Sequence, residues 1–147
     1  MKLSRASAIA IFAITLMAES GTEEPRQGRD LAKELGVPPD SLLKVLQQLV
    51  RSGLVLSSRG RAGGFRLSRP PQEISLLDMV EAVDGELEGE LTSVADIRGM
   101  ITTKAGVELA FGATVHSMRN LLSQTSIRDL MNHAAPLKVS PGHPIKR

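Results

Sequence analysis

Between Arg51 and Arg69 the chain carries five arginines and no acid, and the middle of that stretch reads Arg59-Gly60-Arg61-Ala62-Gly63-Gly64-Phe65-Arg66. Guanidinium forks match phosphate oxygens and guanine edges, and glycines let a loop lie close against a sugar-phosphate backbone. A second group precedes it. Lys44, Gln47, Gln48 and Arg51 recur at the spacing that lines one side of a helix, and Lys, Arg and Gln heads bond both base edges and phosphates. Taken alone, either group also describes a solvated helix face or an ordinary Gly-rich turn. Together they indicate binding of a polyanion. A phosphate-cradling nucleotide loop does not fit, because no Lys-Ser/Thr pair follows the glycines.

Catalytic chemistry has thinner support. The 147 residues include no Cys, Trp or Tyr and only three Phe, which removes disulfides, thiolate zinc sites, cysteine-ligated iron-sulfur clusters and cysteine nucleophiles. His116, His133 and His143 are the acid-base candidates, yet His116 sits beside Val115 in a helical stretch and His143 in a Pro-rich tail. No nucleophile, base and orienting group form a recognisable set. Glu86, Glu88, Glu90, Asp96 and His116 offer hard-metal donors, but irregular carboxylates among glycines read more simply as a wet loop. The expectation is a non-enzyme without cofactor or metal. Readers of RNA or single strands stack bases on aromatic rings, and Phe12, Phe65 and Phe111 are the whole supply.

The charge is divided along the chain. Residues 1–70 hold 11 Lys/Arg against 6 Asp/Glu, and residues 71–147 hold 7 against 10, inside a formal net charge of +2. Eight acids and no base run from Glu73 to Asp96. Such a stretch is repelled by a phosphate backbone, so a nucleic-acid surface is confined to the chain before it.

The elements that must carry these side chains follow from periodicity and punctuation. Lys2 and Arg5 ahead of the apolar run Ala6 to Ala18 fit either a secretory leader or an amphipathic helix capped by Ser4 and packed within a domain. The run is too short to span a bilayer. Ser20 to Gly28 reads as a polar loop, Arg29 to Leu35 as a short helix stopped by Gly36, and Pro38-Pro39 as the opening of a helix that reaches Ser52. On that helix Leu42, Leu43, Val45, Leu46, Leu49 and Val50 share the apolar face, opposite Asp40, Lys44, Gln47, Gln48 and Arg51.

Leu54 to Ser58 and Phe65 to Leu67 read as two short strands of a basic hairpin. Ser75-Leu76-Leu77-Asp78 opens a capped helix through about Val83, ended at Gly85. A long helix from near Lys104 to Ser123 carries Val107, Phe111, Val115, Met118 and Leu122 as a seam, which serves equally to pack on its own core or to pair with a second copy. Ser126 to Asp129 has the pattern of a cap for a short final helix, and 134–147 reads as a disordered tail.

The order helix, helix, turn, helix, basic hairpin, helix resembles a winged helix-turn-helix. Met1 to Ser4, Asp30 to Pro38, Ser52 to Val55, Arg59 to Leu67 and Ile74 to Gly85 together resemble the Rrf2 family of bacterial regulators, the IscR, NsrR and CymR type, over residues 1–85. The resemblance implies a mainly α fold with a small β-hairpin wing (α+β), residues 5–19 as its first helix, and a cytoplasmic homodimeric transcription factor, usually a repressor. It implies a DNA-binding domain over 1–85, an acidic loop over 86–103, a dimerisation helix and a short final helix over 104–133, and the tail. Cluster-bearing relatives have three cysteines between the positions of Gly85 and Lys104, and this chain has none.

The expected partner is double-stranded DNA carrying a roughly palindromic operator. Lys44, Gln47, Gln48 and Arg51 are expected at the major groove, Arg59, Arg61 and Arg66 at phosphates or the minor groove, and Lys2 and Arg5 at further phosphates. An effector or protein partner is left open. The alternative is a protein-interaction or small-molecule-responsive module on the same fold with weak or lost DNA binding, docking through the acidic stretch.

Overall fold

The computed structural model describes residues 3–21, 24–88 and 101–132, and for 101–104 the backbone alone. In chain order the elements are α1 (Arg5–Glu19), α2 (Gly28–Leu35), α3 (Pro39–Arg51), β1 (Val55–Ser58), β2 (Gly64–Leu67), α4 (Leu76–Asp84), α5 (Ile101–Ser123) and α6 (Ile127–Met131), with one 3-10 turn at Pro71–Glu73. The fold is a winged helix-turn-helix with a long added helix.

The apolar run near the N-terminus is α1, and it is core. Ser4 caps it by accepting from the Ser7 amide at 3.0 Å. Ala10, Ala13 and Ile14 are fully buried, and α1 touches α2, α3, α4, α6 and β2. Alanines at the centre let the surrounding elements approach its backbone closely. Larger side chains from those neighbours, among them Leu42, Leu46, Leu49, Leu67, Met79 and Ile127, fill the space around it. Burying each such side chain contributes about 1.5–3 kcal/mol.

Two polar features fasten this core. Asp84, the last residue of α4, accepts from the Ser4 and Ser7 hydroxyls, both at 2.6 Å, so a carboxylate stands at the positive end of α1 and satisfies a fully buried hydroxyl. At the other end of α4, two capping boxes lie side by side. Ser75 with Asp78 caps α4, and Ser126 with Asp129 caps α6. The segments pair through Leu76 N to Thr125 O at 2.8 Å and Ile127 N to Ile74 O at 2.9 Å. Bonds from the Ser126 hydroxyl and amide hold the Asp129 carboxyl below the usual carboxylate range. Its contribution is therefore present above the ordinary carboxylate pKa and is lost as pH falls through the lowered value.

Most expected bounds agree with the structure within a residue or two, and three features differ. Leu43 leaves the apolar face of α3 and stands 43% exposed. The polar loop before α2 contributes a strand-like residue, Arg26, which pairs with Phe65. The long helix begins at Ile101 instead of near Lys104. The tail 134–147 lies outside the described residues, as does most of the acidic loop.

Replacing Asp84 with Ala leaves the buried Ser7 hydroxyl without this acceptor and removes a charge from the α1 cap. Chemical denaturation is expected to show a loss of about 1–3 kcal/mol, while Asp84→Asn, which keeps an acceptor oxygen, loses less.

Candidate nucleic-acid interface

The turn between α2 and α3 is set by Gly36, which takes the left-handed conformation at φ 63° and closes α2. Val37 N returns to Ala32 O at 3.0 Å, and Pro38-Pro39 start α3 without leaving an amide unpaired. Leu42, Val45, Leu46 and Leu49 point inward. The outward surface then consists of Asp40, Leu43, Lys44, Gln47 and Arg51, all exposed. Gln48 is set apart from it. The Gln48 side-chain amide is half-buried and donates to the Val83 carbonyl at 3.2 Å, which turns it toward α4.

The wing is β1 paired antiparallel with β2, with Val55 opposite Leu67, Leu56 opposite Arg66 and Ser57 opposite Phe65. Side chains alternate across the ribbon, so Val55 and Leu67 enter the core while Arg66 and exposed Leu56 share the outer face. Arg59 and Arg61 stand exposed at the tip.

The loop end of β2, next to the tip, is joined to the residues that lead into α2. Arg26 and Phe65 exchange both backbone hydrogen bonds at 2.8 Å, and the Gln27 side chain donates to the Gly63 carbonyl. This close approach demands glycine. A Cβ on Gly64, where φ is +149°, would lie 2.5 Å from the Arg26 carbonyl oxygen, and one on Gly63 would run into the Ser58 carbonyl. The Phe65 ring lies over Gly28, where a Cβ would come within 3.3 Å of Phe65 Cε2. Gln27, Gly28, Arg29, Pro39, Asp40, Leu43, Leu46 and Phe65 line one open cleft of about 420 Å³ between Phe65 of the wing and the starts of α2 and α3.

The cations fall into two groups. Arg26 pairs with Glu34, Arg69 with Asp78 at 3.2 Å, and Arg119 with Glu81 and, at 3.5 Å, Glu86. Among the described residues no acid pairs with Lys44, Arg51, Arg59 or Arg61, nor with Arg5, Arg29, Lys33, Arg66 or Arg128. The arrangement leaves α3 and the wing tip with positive charge that the fold itself does not use. Arg5 is exposed in the first turn of α1, and Lys2 lies outside the described residues. Sequence reasoning missed Leu43, Arg26 and Gln27. Only Leu43 had a signal, since it lies about 40° around the helix from Gln47.

On α5 the seam divides. Val107 and Phe111 are 36% and 51% exposed, and Leu109, on the far side of the helix, 77%, whereas Val115, Met118 and Leu122 are half-buried. The helix touches α4. Among the described residues no three His, Cys, Asp or Glu side chains group as a metal site, and Glu90 and Asp96 lie outside them. No described helix is long and apolar enough to cross a membrane.

Comparison with known proteins gives a consistent result. The Rrf2 family, described as iron-dependent transcriptional regulators, matches residues 3–133. Rv1287 of Mycobacterium tuberculosis H37Rv, which bears the name of an HTH-type transcriptional regulator, is 34% identical over 95% of this chain and 87% of its own. Protein aau3 of Rhizobium meliloti is 30% identical over 89% of this chain and 85% of its own. The structure of CymR, the global cysteine regulator of B. subtilis, superposes with a TM-score of 0.73 at 21% identity, covering 92% of this chain and 99% of that one. IscR of T. potens gives 0.65 at 23% identity, covering 97% and 94%. Iron in the family's description finds no thiolate here, because the chain has no cysteine.

The wing glycines yield a graded expectation. Gly64→Ala meets backbone at an unfavourable φ and is expected to cost roughly 2–3 kcal/mol in a denaturant titration. Gly60→Ala, at φ +103° with nothing within 4 Å, is expected to cost less, about 1 kcal/mol.

Proposed function

Because the chain belongs to the Rrf2 family and is a DNA-binding transcription regulator, not an enzyme, we propose that it acts as a homodimeric repressor at a roughly palindromic operator. In this reading α3 enters the major groove with Lys44 and Gln47 at base edges and Arg51 bracing the backbone. Arg59 and Arg61 at the wing tip hold flanking phosphates or the minor groove, with Arg66, Arg5 and Lys2 as further contacts. Gln48 serves as a brace between α3 and α4 and leaves the base-reading set. Half-sites lie about one or two helical turns apart.

The observation that carries this reading is the unpaired charge of Lys44, Arg51, Arg59 and Arg61 on the outer face of α3 and on a wing whose Phe65 lines a cleft with it. Exposed cations gain from releasing the counterions condensed on DNA, and acids of the same fold would cancel that gain. Dimerisation is supported by Val107 and Phe111, one turn apart on the same face of α5, which one copy leaves exposed. No step is assigned to iron.

Selection from a random duplex library with the purified protein is expected to return a two-fold symmetric sequence. On that duplex, Arg59→Ala and Arg61→Ala are each expected to weaken binding and to lower the slope of log K against log salt by about one unit. An unchanged slope removes the wing from the contact, and failure to select any duplex defeats the DNA reading. Phe111→Asp is expected to shift the protein from dimer to monomer in sedimentation velocity, with thermal stability of the winged body retained. A monomeric native protein would defeat the dimer.

A further inference from the structure

We propose that Leu43 reads the 5-methyl group of a thymine in the major groove. The inference rests on the DNA-binding reading above and adds a specificity-determining residue to it.

Leu43 occupies the second turn of α3 and is 43% exposed, with exposed Asp40, Lys44 and Gln47 around it. It is therefore an apolar side chain set into a polar stripe. The core does not require it there, since Leu42, Val45, Leu46 and Leu49 already fill the inward positions of the same helix. One side of Leu43 borders the open cleft, where Pro39, Leu46 and Phe65 supply an apolar lining. The other side faces solvent in the half of the helix that, in helix-turn-helix proteins, meets base edges first.

The chemistry of the groove selects the occupant. Base edges in the major groove present donors and acceptors, plus one apolar group, the C5-methyl of thymine. A leucine placed against any other edge would strip water from a polar group and return no hydrogen bond. Against a methyl it buries apolar surface on both sides. Lys44 and Gln47, one and four residues further along, fix the register by bonding neighbouring bases or phosphates. Leu43 thus favours thymine and penalises the other bases at one position of each half-site.

The test uses the duplex that the full-length protein selects from the random library. Each thymine is replaced in turn, in both half-sites, by deoxyuridine, which removes the methyl and leaves every hydrogen-bonding group. Wild type is expected to lose about fourfold in affinity per half-site at one symmetric position. Leu43→Ala is expected to bind the thymine duplex more weakly and to lose less than about twofold further on the same replacement. Leu43→Gln, of similar length and at an exposed position, is the second variant and is likewise expected to lose the deoxyuridine effect. If no thymine is sensitive in wild type, or if the folded variants keep the full sensitivity, the inference is overturned while DNA binding stands. If wild type selects no duplex, both fall.

Discussion

Two reciprocal backbone hydrogen bonds between Arg26 and Phe65, each 2.8 Å, fasten the hairpin to the segment that leads into α2. A two-stranded hairpin is marginal by itself in water. Here the single bridging residue Arg26, the Gln27 amide on the Gly63 carbonyl and the Phe65 ring over Gly28 hold it against the body of the fold. Phe65 also lines the cleft together with Leu46 and Leu43 of α3, so the same weld that steadies the wing sets its position relative to α3. This attachment, beside the tip, fixes where the wing-tip charges stand relative to those on α3.

The electrostatics follow from where the acids go. In α4, Asp78 is taken by the Ser75 cap and Arg69, Glu81 by Arg119 and the Leu87 amide, and Asp84 by the α1 hydroxyls. The acids of α4 are thus engaged within the fold itself. Asp40 is the exception on α3. It sits in the first turn, where the helix dipole favours a carboxylate but a nearby phosphate does not.

Local rules made much of this legible. The ends of α1, the Gly36 stop, the Pro38-Pro39 start of α3, the hairpin and both capping boxes each rest on residues within a few positions of one another. What the chain hid depends on distant partners. Asp84 meets Ser7 across 77 positions and Gln48 meets Val83 across 35, and no local pattern announces either. Arg26 looked like part of a polar loop because its strand character consists of a pairing with Phe65. Leu43 was misplaced for a different reason. It borders the apolar arc, and a helical wheel does not reveal that α1 and α4 cover the Leu42 to Leu49 side and stop short of it.

The C-terminal end of α4 joins parts that composition would assign to separate jobs. Val83 receives Gln48 from α3, Asp84 receives α1, and Glu81 holds Arg119 of α5. Arg119 also donates to the Leu87 carbonyl at 3.3 Å, which ties the first residues after α4 to the same knot. If two chains join through α5 as proposed, this knot sets the spacing of the two copies of α3 together with the contact between the long helices. A rigid connection suits a reader of two half-sites, because half-site spacing is a geometric property of the dimer and slack in the joint would spread the binding energy over several spacings.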